Sequence, residues 1–93
     1  MPDRPARRYA VVLRESAARE LSKLPKAAQQ RIAHKINALE LNPRPHGVEK
    51  LAGTDDQFRV RVGDYRVVYT IEDQRLIVEV IRVRHRKDVY RNG

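Results

Sequence analysis

The residues of this 93-residue chain whose types and spacing could do chemistry are a group of arginines and a late histidine and tyrosine. Arg59, Arg61 and Arg66 lie close together in FRVRVGDYRVVY, and His85, Arg86 and Tyr90 follow in RHRKDVYR. That set can run one metal-free reaction on RNA. A 2′-hydroxyl attacks the adjacent phosphorus, the 5′-oxygen leaves, and a 2′,3′-cyclic phosphate results. The reaction needs charge stabilisation on the phosphorane, a proton acceptor and a proton donor. Arginine supplies the first through planar, bidentate contact with phosphate. Histidine is the side chain suited to proton transfer near neutral pH, which makes His85 the best unaided candidate. Tyr90 could donate, accept or stack on a base. Arg84, Lys87 and Arg91 add cations that suit an RNA backbone. RHRKDVYR reads equally as an ordinary basic tail, and Tyr90 as an anchoring aromatic.

Other chemistries find little support. There is no cysteine, so disulfides and thiolate metal sites are excluded. The three histidines are scattered without metal-ligand spacing, no glycine-rich phosphate loop precedes a helix, and no metal or cofactor is expected. His34 on a helix and His46 in a loop beside Pro45 and Gly47 read as exposed polar residues. Lys and Arg number 20 against 12 Asp and Glu, a net charge of +8. A small domain this basic points to nucleic acid, a nucleic-acid machine or an acidic protein partner. No apolar run approaches the ~18 residues that span a bilayer, and MPDRPARRY lacks the apolar stretch of a secretion signal. The expectation is a cytoplasmic protein with no membrane partner.

The elements that must position the arginines follow from periodicity. Phe58, Val60 and Val62 alternate with Arg59 and Arg61; after Gly63-Asp64, Tyr65, Val67 and Tyr69 alternate with Arg66 and Val68. Such alternation marks strands with one buried face, and Gly-Asp suits a two-residue hairpin turn. Val62 should then pair with Tyr65, and Arg61 should lie opposite Arg66. Arg59, Arg61 and Arg66 share the face away from the core. Like charges opposed on a sheet are destabilising, so an anion bound there would explain them; a solvated face with nearby acids is the alternative.

Upstream, residues 1–7 form a polar arm ahead of the single domain expected over 1–93. YAVVL (9–13) reads as a first strand, and Ser16 as the N-cap of a helix carrying Ala17, Leu21 and Leu24. Glu20 falls one place beyond the capping-box position. Pro25 suits the start of a second helix with the apolar stripe Ala28, Ile32, Ala33, Ile36 and Leu39, ended by Asn42-Pro43. Arg44–Gln57 reads as a loop with Leu51 as its core anchor. A turn at Asp73-Gln74 would set Ile71 opposite Leu76 and Arg66 opposite Ile81, with Glu79 diagonally near Arg66. The nearly continuous apolar run from Leu76 to Val83 suits a strand covered on both faces. The fold class is therefore α+β: strand-helix-helix-strand-strand-strand, an antiparallel sheet with a helical pair on one face. These patterns leave the strand order open.

On these residues the chain resembles the RelE/ParE superfamily of bacterial type II toxins, RelE branch, from about Tyr9 to Arg91. The landmarks are the strand-helix-helix opening, Asn42-Pro43, Lys50-Leu51-Ala52-Gly53, FRVRVGDYRVVYTI and VIRVRHRKDVYR. The resemblance implies a ribosome-dependent endoribonuclease that cuts mRNA in the A site. It also implies a hetero-oligomer with a cognate antitoxin whose flexible segment wraps the toxin. It matches Arg66, Arg86 and Tyr90 to the family's hairpin arginine, late-strand arginine and C-terminal tyrosine. With the chemistry above, Arg61, Arg66, His85, Arg86 and Tyr90 are expected to be catalytic, and Arg59, Arg61, Arg66, Arg84, Lys87 and Arg91 RNA-binding. Arg59 and Arg61 stand where the best-known RelE toxin has lysines. Arginine stays protonated and cannot serve as a general base, so proton abstraction would fall to His85, Tyr90 or ribosomal RNA. Two other readings share the fold: a ParE-like toxin that binds DNA gyrase without cutting RNA, and an inert basic module.

Overall fold

A computed structural model describes residues 8–89. The hairpin forms as its alternation requires. Strands β3 (Gln57–Val62) and β4 (Tyr65–Glu72) pair with Val62 opposite Tyr65 and Arg61 opposite Arg66. Within the turn Gly63, and not Asp64, takes positive φ, at 61°, the pattern of a turn whose first residue must be glycine.

The remaining strands are β1 (Ala10–Leu13), β2 (Glu49–Lys50) and β5 (Ile77–His85), in the sheet order β1-β5-β4-β3-β2. The α+β class and the helical cover hold, with one correction to the sheet. β1 runs parallel to β5, so the sheet is mixed rather than wholly antiparallel. The two-residue β2, inside the stretch read as loop, pairs with β3 as a short edge strand. From that loop Val48, not Leu51, packs against the core.

Helix α1 (Glu15–Ser22) and helix α2 (Lys26–Ala38) lie on one sheet face. Ala17 of α1 and Ile32, Ile36 and Leu39 of the α2 stripe join Val60, Val67, Tyr69, Val78 and Val80 in one buried cluster. Pro25 occupies the N-cap of α2, and Gln29 one turn later donates to the carbonyls of Ser22 and Leu24, joining the two helices. The helix stops at Ala38, before Asn42-Pro43, and the Pro43 carbonyl accepts a hydrogen bond from the buried Tyr69 hydroxyl at 2.8 Å. Ser16 is not the cap of α1. Arg14 holds that position, and the Ser16 hydroxyl donates to the Ile81 carbonyl at 3.0 Å.

The β4–β5 connection is wider than two residues. Ile71 pairs with Val78 and Glu72 with Ile77, leaving Asp73 to Leu76 in the turn. Leu76 takes φ 54°, a conformation that costs an L-residue roughly 1–2 kcal/mol, and packs its side chain against the core in return. The register then shifts once. Tyr69 faces Val80 but Val68 faces Arg82, so Ile81 is the extra residue of a β-bulge. Ile81 is buried because it is the bulge residue, not because β5 is covered on both faces. Arg66 thus lies opposite Arg84, not Ile81, and Glu79 pairs with Arg14, not Arg66.

Candidate active site

Registers across three strands bring Arg61, Arg66 and Arg84 abreast, since Arg61 faces Arg66 and Arg66 faces Arg84. Directly opposed residues point to the same face, and adjacent strands are about 4.8 Å apart, so the row spans roughly 10 Å. Val60, Val67 and Val83, the next residues inward on each strand, point the other way into the core. The open face carries the cations because the core face takes the apolar alternates.

None of the three forms an ion pair among the described residues. Arg61 Nε donates to the Gly63 carbonyl and Arg66 Nη1 to its neighbour's carbonyl, both at 3.3 Å. These are weak contacts that leave most guanidinium donors open. A row of open guanidinium donors can take an anion with several acceptor oxygens.

Arg59, two residues from Arg61 on the same face, is paired. Its guanidinium donates to Glu49 Oε1 at 2.6 Å, across the β2–β3 register that sets Glu49 opposite Arg59. That hydrogen bond, the charge of Arg59 and the charge of Arg66 hold the Glu49 carboxyl below the usual carboxylate range. Glu49 is an ionised acceptor beside the arginine row. Sequence reading missed it because nothing in the loop pattern marks position 49 as facing Arg59.

The histidine is not in the row. His85 lies opposite Tyr65, which faces Val62, so it shares the core-face alternation at the sheet's end. Its ring meets Tyr65 edge-on at 5.2 Å between centroids, and its Nδ1 accepts the Lys87 amide at 3.1 Å. Arg86 begins the short helix α3 (Arg86–Val89), where its amide donates to the Asp64 carbonyl at 2.7 Å and ties the start of α3 to the hairpin turn. The structure thus assembles Arg59, Arg61, Arg66 and Arg84 on one face, and sets His85 on the other. Arg86 and Lys87 are exposed beyond β5. Tyr90 and Arg91 lie outside the described residues. His34 and His46 are exposed. Among the described residues no group of His, Asp and Glu is placed to hold a metal, and no helix is long and apolar enough to cross a membrane.

Comparison with known proteins gives the same frame. Residues 11–90 match the family model described as ParE toxin of the type II toxin-antitoxin system, parDE. The chain is 40% identical over 87 residues to a RelE-like toxin protein of Escherichia coli, covering 89% of this chain and 90% of that one. Its fold is similar to the toxin–antitoxin complex RelE–RelB of Pyrococcus horikoshii, with TM-score 0.76, 32% identity, and coverage of 84% of this chain and 94% of that chain. A RelBE toxin–antitoxin complex of Mycobacterium tuberculosis gives TM-score 0.77 at 28% identity, covering 89% of this chain and 97% of that chain.

Proposed function

This chain belongs to the ParE toxin family of type II toxin–antitoxin systems and is RelE-like, and from that premise we propose that it is a ribosome-dependent, metal-independent endoribonuclease that cuts mRNA in the A site. The observation that carries this reading is the row of three unpaired arginines in register on an otherwise open sheet face. Opposed like charges cost a sheet roughly 0.2–1 kcal/mol per pair, a cost offset when a phosphate binds across them.

In the proposed reaction Arg61, Arg66 and Arg84 hold the scissile phosphate. They take up the charge that grows on its oxygens as the 2′-oxygen bonds to phosphorus and the bond to the 5′-oxygen breaks. Arg59 exchanges Glu49 for a phosphate oxygen. Released from its ion pair, Glu49 becomes more basic and accepts the 2′-hydroxyl proton. Tyr90 returns a proton to the 5′-oxygen, since His85 lies on the other face of the sheet. Arg86, Lys87 and Arg91 extend the cationic surface along the RNA. The partners are the ribosome with its mRNA and, in the cytoplasm, a cognate antitoxin. An acidic, flexible antitoxin segment that folds over the arginine face would neutralise it and form a hetero-oligomer, as the RelE relatives form complexes with RelB.

Primer extension on a reporter mRNA in a reconstituted bacterial translation reaction tests this. Codon-spaced cuts should appear only on translated mRNA and vanish with Arg66→Ala. Cuts on naked RNA would mean a free ribonuclease. The ParE name of the matching family supports a second reading, a toxin that binds DNA gyrase. Growth arrest with DNA-damage induction and intact mRNA would favour it.

A further inference from the structure

We propose that Glu20, on α1, is a positioning residue for Arg84. It fixes the bulged end of β5 so that this arginine, and not its neighbour, joins the row. The inference rests on the proposed reading of the arginine row and adds a device that holds it.

The bulge decides which residues of β5 face which way. Through Val80 the strand alternates with Val78 and Val80 inward. Continued without interruption, that alternation would turn Arg82 and Arg84 toward the core. The extra residue Ile81 reverses it, so Val83 goes inward and Arg84 outward beside Arg66. A bulge leaves the ladder locally disrupted, and here the neighbouring strand ends at the same place. β1 makes its last bond to β5 where the Arg14 amide meets the Val80 carbonyl at 2.8 Å. Beyond it, β5 would be a free edge.

Two side chains one helical turn apart on α1 take over that edge. Ser16 donates to the Ile81 carbonyl at 3.0 Å, and Glu20 Oε1 accepts the Val83 amide at 2.7 Å. The other Glu20 oxygen holds Arg82, accepting from Nε at 3.1 Å and lying 2.9 Å from Nη2. Glu20 therefore grips both residues between the bulge and Arg84. A carboxylate bonded to a backbone amide and a guanidinium is a stronger tie than a neutral pair. By engaging Arg82, Glu20 also leaves Arg84 as the free guanidinium of the strand end.

The test compares Glu20→Ala and Glu20→Gln in two measurements on the full chain. The first is amide hydrogen exchange. At Val83 it should quicken about tenfold in Glu20→Ala relative to Val78, and recover in part in Glu20→Gln, which keeps an acceptor. Unchanged exchange at Val83 overturns the proposal. The second is a double-mutant cycle on translated-mRNA cleavage. Glu20→Ala should slow cleavage about fivefold alone and in an Arg61→Ala background, yet add nothing once Arg84→Ala is present. Equal slowing in both backgrounds would mean general destabilisation and also overturns it. If the wild-type protein cuts no RNA, the functional reading fails, while the exchange measurement still decides whether Glu20 holds the strand end.

Discussion

The two ends of the sheet treat arginine in opposite ways. Toward the β4–β5 turn each cation has an acid. Arg44 meets Asp73 at 2.9 Å, Arg14 meets Glu79 at 3.2 Å and Arg75 meets Glu72 at 3.4 Å. Tyr9 joins the first pair, donating to Asp73 at 2.6 Å, and that hydrogen bond to a carboxylate holds its phenol above the usual range. The same carboxylate, by hydrogen bond, raises the Arg44 guanidinium further. Arg44 also lies over the Phe58 ring, 5.3 Å from its centroid. At the hairpin end, Arg61, Arg66 and Arg84 stand side by side with no acid bridged to any of them among the described residues. One end uses arginine to tie a loop, a turn and a strand together. The other leaves three arginines with no bridged acid among the described residues, which is the contrast the proposed anion site rests on.

Substitutions at the two ends should therefore separate activity from stability. The largest effect is expected from Arg66→Ala at the hairpin end, a loss of about 10²–10³ in cleavage rate with antitoxin binding retained. Wild-type rates would break the contrast. Glu49→Gln should follow, slowing cleavage about 10²-fold, because it removes the ionised acceptor on the arginine face. His85→Gln should cost less than about tenfold, since its ring faces Tyr65 instead of the row. A larger loss there than at Glu49 would return the proton acceptor to histidine.

Stability should respond to the buried tyrosine near the paired end. Burial pushes the Tyr69 phenol up to about 12, and its hydroxyl donates to Pro43. With the folded value above the unfolded one, this contribution is complete below about pH 10. It is lost as pH rises through 12, by up to roughly 3 kcal/mol at about 1.4 kcal/mol per unit. Alkaline denaturation should show that loss, and Tyr69→Phe should abolish its pH dependence. The smallest effects distinguish the ends by sign. Arg44→Met should destabilise by up to about 1 kcal/mol, as expected for a half-exposed pair. Arg66→Thr should stabilise by roughly 0.5 kcal/mol in urea titrations by relieving an opposed charge. A stability loss at Arg66 would mean that the row holds the fold together.

Much of this was legible in the chain. Alternation in FRVRVGDYRVVY placed Arg61 opposite Arg66 because a hairpin's register is set locally, by its turn and its two-residue period. The α2 stripe was legible for the same reason, as a local 3.6-residue period. Arg84 was legible as a cation suited to an RNA backbone but not as a member of the row. The signal was present in the adjacent apolar pair Val80-Ile81, which interrupts the alternation where the bulge falls. His85 was misplaced for the same reason, since one residue of slip exchanges the faces. Leu76 gave no sign of its left-handed backbone, so the turn was read as too short.

The sequence by itself determined the helices, the central hairpin, the arginine-bearing face and the family, because each depends on neighbours close along the chain or on motifs read directly. The tertiary structure alone decided the parallel pairing of β1 with β5, the inward turn of His85, and the arrival of Glu49 and Glu20 at Arg59 and Val83. The last two are meetings across strand edges. The first depends on the short edge pairing of β2 with β3, and the second on a helix from a distant part of the chain satisfying a backbone amide left open beyond β1.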